Sequence, residues 1–366
     1  MTLNERQCGG SAVDDAGDPR HTGVIATDRS AGKQAAIKAV KWLIKQQNED
    51  GSFNPLAEGM AGFHKVPYAL ALSGQSGRGV RLCTWIVDYS LDEDGDIGAN
   101  FGRQGPMERY YTYPSAWMIA GAQKLGQFGL SLPAYDFVSS LQHPETGGFL
   151  RIGPEAGLDD EQDMLGTAAA GIAALYMGDE RTATAAGDFL VRRWERQPQS
   201  GTRMYLMVRR GEEPVRVHGE GLDEEYVLRV AGGKDEPPPP GQWYFVPGLV
   251  AGFLARLSEA TSERSYLQIA QEYVDFCEGG ADDRYVSPRS GLFGWAASIL
   301  YALTGNVNYE RIAENVAGAM VKRQAPDGAW LEPCLPSDLV SARTDATAES
   351  LIILLETLDN LEVGME

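Results

Sequence analysis

Apolar and polar positions along the chain fall into two alternating kinds of segment. One kind is amphipathic at helical spacing: in "KAVKWLIKQQNEDGSF" (38–53), Lys38, Trp42 and Lys45 lie one turn apart, and Asp50-Gly51 supplies a stop. The other kind is apolar nearly all round and built with Ala and Gly, as in "DMLGTAAAGIAALYMG" (163–178). A helix with one polar stripe suits an outer position with a wet face, whereas one that is apolar all round needs neighbours on every side.

The amphipathic pattern returns. "FVSSLQHPETGGF" (137–149) and "AMVKRQAPDGAW" (319–330) repeat an apolar pair, a Gln and, three to five residues beyond it, a Gly-x-aromatic. Weaker copies are "WIVDYSLDEDGDI" (85–97), "YVDFCEGGADDRY" (273–285) and "FLVRRWERQPQSG" (189–201). After each copy comes a second, apolar helix, expected to begin near Phe63, Tyr113, Asp163, Trp243, Leu292 and Asp345. Recurrence at a period of this length marks a repeat architecture. Six outer–inner helix pairs predict an all-α (α/α)6 toroid with two concentric layers, its outer-to-inner loops surrounding one mouth. The toroid is expected over 29–366. Residues 1–28 are polar and Gly-rich and read as a disordered leader. Between Tyr205 and Gln242 the period breaks into charge clusters, a four-proline run and a β-like "EEYVLRV", so 206–242 reads as a lid-like insertion over the mouth.

Composition narrows the function classes. A net charge of −19 over 366 residues opposes binding to nucleic acid or to an anionic membrane. No run approaches the ~18 apolar residues of a membrane span. Cys8, Cys83, Cys277 and Cys334 lie far apart without a C-x-x-C spacing, which points to free thiols rather than a zinc knuckle or a disulfide framework. With no apolar signal segment, a cytoplasmic protein is expected.

The repeat resembles the QW repeat of squalene-hopene and oxidosqualene cyclases: Lys38, Ala39, Trp42, Leu43, Gln47 and Gly51 match, with Phe53 in place of the Trp. "QHPETGGF" is similar to the endings in protein prenyltransferase β subunits. The resemblance implies the toroid, with the Gln tying helix ends together. It does not carry over the chemistry. The cyclases' acidic Asp-x-Asp-Asp motif is approached only by "LDEDGD", where Asp94 aligns with the turn residues Asp50 and Asp327. The last inner helix, "DATAESL", lacks the His of the prenyltransferase zinc site, so no metal and no cofactor are expected.

At the mouth, the polar aromatics Tyr68, Tyr111, Tyr113, Trp117, Trp243, Tyr244 and Trp295, with Arg289, are candidates to line a substrate cavity. Core packing cannot satisfy so many hydroxyl and indole groups. Asp163, Asp345 and Glu349 are the candidate acids, with Asp163 opposite Asp345, while Asp159 and Asp160 suit a helix N-cap. Asp345 and Glu349, four apart, share a helix face. Burial would raise their pKa toward general acid use, and Arg289 or Arg343 would satisfy them if they are structural. His64 is the histidine expected near the mouth. The leading expectation is a metal-independent terpene cyclase-like enzyme acting by acid–base chemistry on an apolar, isoprenoid-type small molecule. The alternative is a carbohydrate-active enzyme, and the third is a non-catalytic binding protein. Cavity polarity discriminates the first two: convergent charged groups indicate a sugar, a closed apolar pocket a terpenoid.

Overall fold

The structure, a computed structural model, describes residues 29–53, 59–98, 110–154, 157, 161–197, 201–209, 213–214, 227–230, 237–331 and 339–364. The leader, Asp159, Asp160, His218 and most of the 206–242 insertion lie outside these residues.

Among the described residues the chain forms the twelve α-helices that the six repeats require. The outer helices are α1 (Arg29–Gln46), α3 (Ser76–Tyr89), α5 (Phe128–Ser140), α7 (Glu180–Glu195), α9 (Arg264–Glu278) and α11 (Val307–Arg323). The inner helices are α2 (Val66–Leu72), α4 (Thr112–Lys124), α6 (Met164–Met177), α8 (Phe245–Thr261), α10 (Gly291–Thr304) and α12 (Val340–Val363). Each inner helix packs on its two inner neighbours, and α12 closes on α2, so the inner layer is a ring in the order α2-α4-α6-α8-α10-α12. Each of the first five inner helices also turns within two or three residues into the outer helix that packs on it, and α1 packs on α12. The protein is an (α/α)6 toroid.

The recurrent Gln-Gly turn latches neighbouring outer helices. Gln47 Nε2 donates to Gly51 O at 3.0 Å and to Arg78 O on α3 at 3.0 Å. Gln142 repeats this with Gly147 O at 3.0 Å and Thr182 O on α7 at 3.1 Å, and Gln324 with Gly328 O at 3.0 Å and Ala35 O on α1 at 2.8 Å. The glycine is required twice over. At Gly147 φ is +75°, and a Cβ would lie 2.2 Å from Ala185 O, so the turn rests directly on the next helix backbone.

Boundaries depart from expectation at α12, which begins five residues before Asp345 and therefore places that residue in its second turn. Of five short strands, the last falls in the β-like "EEYVLRV" of the insertion, and the other four lie outside that stretch. β1 (Gln162–Asp163), β3 (Met207–Arg209) and β4 (Glu213–Pro214) form one antiparallel sheet, and β2 (Arg203–Tyr205) pairs with β5 (Val227–Arg229). The excursion between α7 and α8 is thus pinned to the entry of α6, where Gln162 pairs with Val208 and Asp163 with Met207.

Candidate active site

Pro67 near the start of α2 fixes the helix entry, and the preceding turn projects His64 and Lys65 onto α12. Both side chains are sealed from solvent. Lys65 Nζ lies 2.9 Å from Asp345 Oδ1 and also binds Glu349 Oε2. Asp345 and Glu349 share one face of α12, as their spacing predicts, and keep 24% and 28% of their side chains exposed. An open pair of carboxylates is therefore backed by a buried ammonium. Burial opposes the charge on Lys65, but Asp345 and Glu349 outweigh it and hold the ammonium well above its ordinary pKa.

His64 is placed behind the same carboxylate. Burial, reinforced by the charge of Lys65, pushes its imidazole well below the usual histidine value, so it is neutral at pH 7. Its Nδ1 is 3.3 Å from Met60 O, which can only accept, so the ring proton sits on Nδ1. Nε2 then turns a lone pair toward Asp345 Oδ1 at 3.5 Å; Nε2 has no hydrogen-bond partner, while the oxygen is paired with the Lys65 ammonium. Two acceptors face each other with no proton between them. A proton taken up by Asp345 would find a second acceptor ready behind it.

Aromatic groups of α2 and α4 pack beside the cluster. Lys65 Nζ stands 5.4 Å from the Tyr113 ring centroid, and Trp117 packs edge-on against Tyr113 at 6.2 Å and Tyr68 at 5.5 Å. Further along the ring, Tyr68 and Trp295 both donate to Glu356, at 2.6 Å each.

Other candidates are held elsewhere. Asp163 is buried as the N-cap of α6, with Oδ1 accepting from Gly166 N at 2.7 Å; burial raises its pKa to about 6, and its charged neighbours are Arg151 and Glu161. No contact among the described residues joins it to the Asp345 cluster. Tyr111 donates to Asp96 in a repeat turn, beside Phe137 of the outer helix α5. Tyr244 is fully buried, its hydroxyl accepting from Ala281 N at 3.0 Å and Gln242 Nε2 at 3.2 Å, and its ring packs on Phe293. Arg289 donates to Gly241 O at 2.8 Å and lies over Trp243, fastening the end of the insertion to the α9–α10 connection. Arg343 pairs with Asp327 and lies 5.2 Å from the Trp42 ring, while Asp345 and Glu349 are met by Lys65. Asp94 is exposed, in a turn whose backbone is held by Asp92 Oδ1.

Lys65 and Glu356 were not singled out by sequence reasoning. The signal was there in each: a single charge inside an otherwise apolar inner-helix segment, "FHKVPYALAL" and "SLIILLETL". Among the described residues, no group of three or more His, Cys, Asp or Glu is placed to hold a metal, and no helix is long and apolar enough to cross a membrane.

No family model matches the chain, and neither does any curated protein. The fold is similar to that of several solved structures. D-mannose isomerase superposes with a TM-score of 0.67 at 12% identity, over 90% of this chain and 97% of that one. The unsaturated glucuronyl hydrolase specific for heparin gives 0.59 at 10%, over 92% and 98%. The type II terpene cyclase MstE from Scytonema, in complex with its product merosterolic acid A, gives 0.57 at 13%, over 91% and 98%. All three are enzymes, and at these identities the likeness is one of fold.

Proposed function

We propose that the protein is an enzyme that transfers protons on a polar, carbohydrate-like small molecule at the mouth of the ring. The observation that carries this reading is the Lys65 ammonium shared by two partly exposed carboxylates. Withdrawing charges from water costs several kcal/mol per ion. An apolar substrate pressed against Asp345 and Glu349 would add to that cost, whereas a polyol brings hydroxyls that replace the displaced water. Tyr113 and Trp117 supply faces for a sugar ring. Mannose isomerase and the glucuronyl hydrolase perform sugar chemistry on the same architecture.

In this reading Asp345 and Glu349 are the catalytic residues, because they are the members of the cluster that a ligand can touch. Lys65 and His64 are positioning residues. Asp345 removes a proton from the carbon beside a sugar carbonyl and returns it to the former carbonyl carbon, while Glu349 passes the hydroxyl proton from one oxygen of the enediolate to the other, so an aldose and a ketose interconvert without an added reagent. A terpenoid reading draws on the aromatic series Tyr113, Trp117 and Tyr68 and on the likeness to the terpene cyclase.

The test is incubation with D-mannose, D-fructose and related sugars in deuterated water, following deuterium at the carbon beside the carbonyl by NMR, with geranylgeranyl substrates run in parallel. Asp345→Asn should lower sugar turnover by about 10²- to 10⁴-fold, the usual range for a lost acid–base group. Full turnover in folded Asp345→Asn and Glu349→Gln would remove this site. Turnover of the isoprenoid alone would remove the sugar reading.

A further inference from the structure

Below the cluster of Lys65 and its carboxylates, a second polar network crosses the ring. Glu356 lies on the same face of α12 as Asp345 and Glu349, since positions i, i+4 and i+11 differ by at most about 40° around a helix. Both of its oxygens are used: Tyr68 on α2 donates to Oε1 at 2.6 Å, and the Trp295 indole on α10 donates to Oε2 at 2.6 Å. The Tyr68 hydroxyl is also 2.6 Å from the Tyr176 hydroxyl on α6. Tyr68 has one proton, and it goes to Glu356, so Tyr176 must donate to Tyr68. The protons therefore run one way, from Tyr176 through Tyr68 to Glu356. Burial, with Glu356 and Tyr176 beside it, holds the Tyr68 hydroxyl well above its ordinary pKa and keeps that proton in place.

The helices that carry these residues matter more than the bonds themselves. α2 and α6 are not neighbours in the ring, because α4 stands between them, so the Tyr68–Tyr176 bond is a chord across its interior. Lys124, the last residue of α4, is exposed and places its ammonium 5.1 Å from both tyrosine ring centroids. One turn beyond Glu356, Arg256 of α8 reaches Asn360 Oδ1 on α12 at 3.3 Å, a second chord that passes α10. All six inner helices contribute to this layer.

We infer that the Tyr176–Tyr68–Glu356 bar is the floor of the substrate cavity, so that the ring is a blind pocket holding one sugar-sized ring rather than a channel that threads a chain. Seven residues of helix separate Glu349 from Glu356, roughly 10 Å of axial rise, part of which the side chains fill. Tyr176, having given its proton to Tyr68, keeps its oxygen lone pairs for a donor, and a ligand hydroxyl at the bottom of the pocket would supply one. The depth limit follows from the geometry of the bar. The choice of a sugar as occupant rests on the function proposed above.

The test combines crystal structures of the wild type and Tyr176→Ala with calorimetric titration of D-mannose and mannotriose. Tyr176 is partly exposed, so its truncation spares the core, and Tyr68→Phe provides a second variant that breaks the bar while keeping its ring. The wild-type axis should end at the two tyrosines, with mannose binding at least tenfold more tightly than mannotriose. Tyr176→Ala should open the far end and reduce that preference to under threefold, with Tyr68→Phe between the two. A wild-type axis open past Tyr68 and Tyr176, or an unchanged preference in a variant whose axis is visibly open, would overturn the inference. If neither sugar binds while the wild-type axis is closed, the sugar occupant is wrong and the floor stands.

Discussion

Replacing Lys65 by Met removes the cation shared by Asp345 and Glu349 and leaves two carboxylates on adjacent turns of α12, backed by a neutral imidazole. Breaking a fully buried ion pair typically costs about 3–5 kcal/mol. Here 24% and 28% of the two acid side chains remain exposed, so water offsets part of that cost and about 2–3 kcal/mol is expected. For a chain of this length, that lowers Tm by about 3–4 °C. The pH dependence makes the test specific. Two like charges left together raise the folded-state pKa of one carboxyl above its unfolded value, so the variant gains stability as pH falls through that pKa. The gap between wild type and Lys65→Met, measured by calorimetry, should be widest near pH 7 and shrink below about pH 5, where carboxyl groups protonate. Adding Glu349→Gln to Lys65→Met should recover about half of the loss at pH 7, and the double-mutant cycle should show coupling of more than about 0.5 kcal/mol. A Lys65→Met protein with unchanged Tm at pH 7, or a gap that does not vary with pH, would refute the shared-ammonium account.

Four further outcomes follow from the fold. Gln142→Ala loses two hydrogen bonds, one closing the turn after α5 and one reaching α7, and should cost about 1–3 kcal/mol in denaturant unfolding, nearly additive with Gln324→Ala at a separate latch. Gly147→Ala and Gly178→Ala both force a left-handed conformation on Ala, worth about 1–2 kcal/mol, but only Gly147 also meets backbone at 2.2 Å, so its variant should be clearly the less stable on a thermal scan. Asp163 has its pKa raised to about 6, so its contribution is favourable at low pH and is lost as pH rises through 6. Asp163→Asn should therefore flatten the stability profile between pH 4 and about 6 and gain stability at pH 7, as measured by urea midpoints. Asp94→Asn, in an exposed turn, should leave Tm within about 1 °C, since surface changes rarely exceed ±0.5 kcal/mol.

The ring was legible because its repeat is local. A Gln, a Gly and an aromatic within one short stretch carry the information for their own turn, and the apolar inner helices declare their enclosure by composition. The site was legible only in part. That Asp345 and Glu349 share a helix face is readable from their spacing, but Lys65 meets Glu349 across 284 residues, a pairing that no local pattern encodes. The "YYTY" run illustrates the same limit. Tyr110 lies against Arg151, Tyr111 turns outward to Asp96, and Tyr113 faces Lys65, so one run of aromatics serves three destinations set by its neighbours in space. Asp163 was placed by position near a helix start, and which of its neighbours would do the capping depended on where α6 begins.

Ring closure also has a history in time. α1 packs on α12 and α11, and Gln324 bonds to Ala35 over a separation of 289 residues. On the ribosome, α1 emerges first and its proper partners emerge last, after about 15–60 s at a synthesis rate of ~5–20 residues per second. Throughout that interval Ala35, Ala39, Trp42 and Leu43, all buried in the finished ring, have no permanent neighbour on that side. The nascent chain thus carries an unsealed seam that holdase chaperones are suited to cover, and the last helix made is the one that ends the wait.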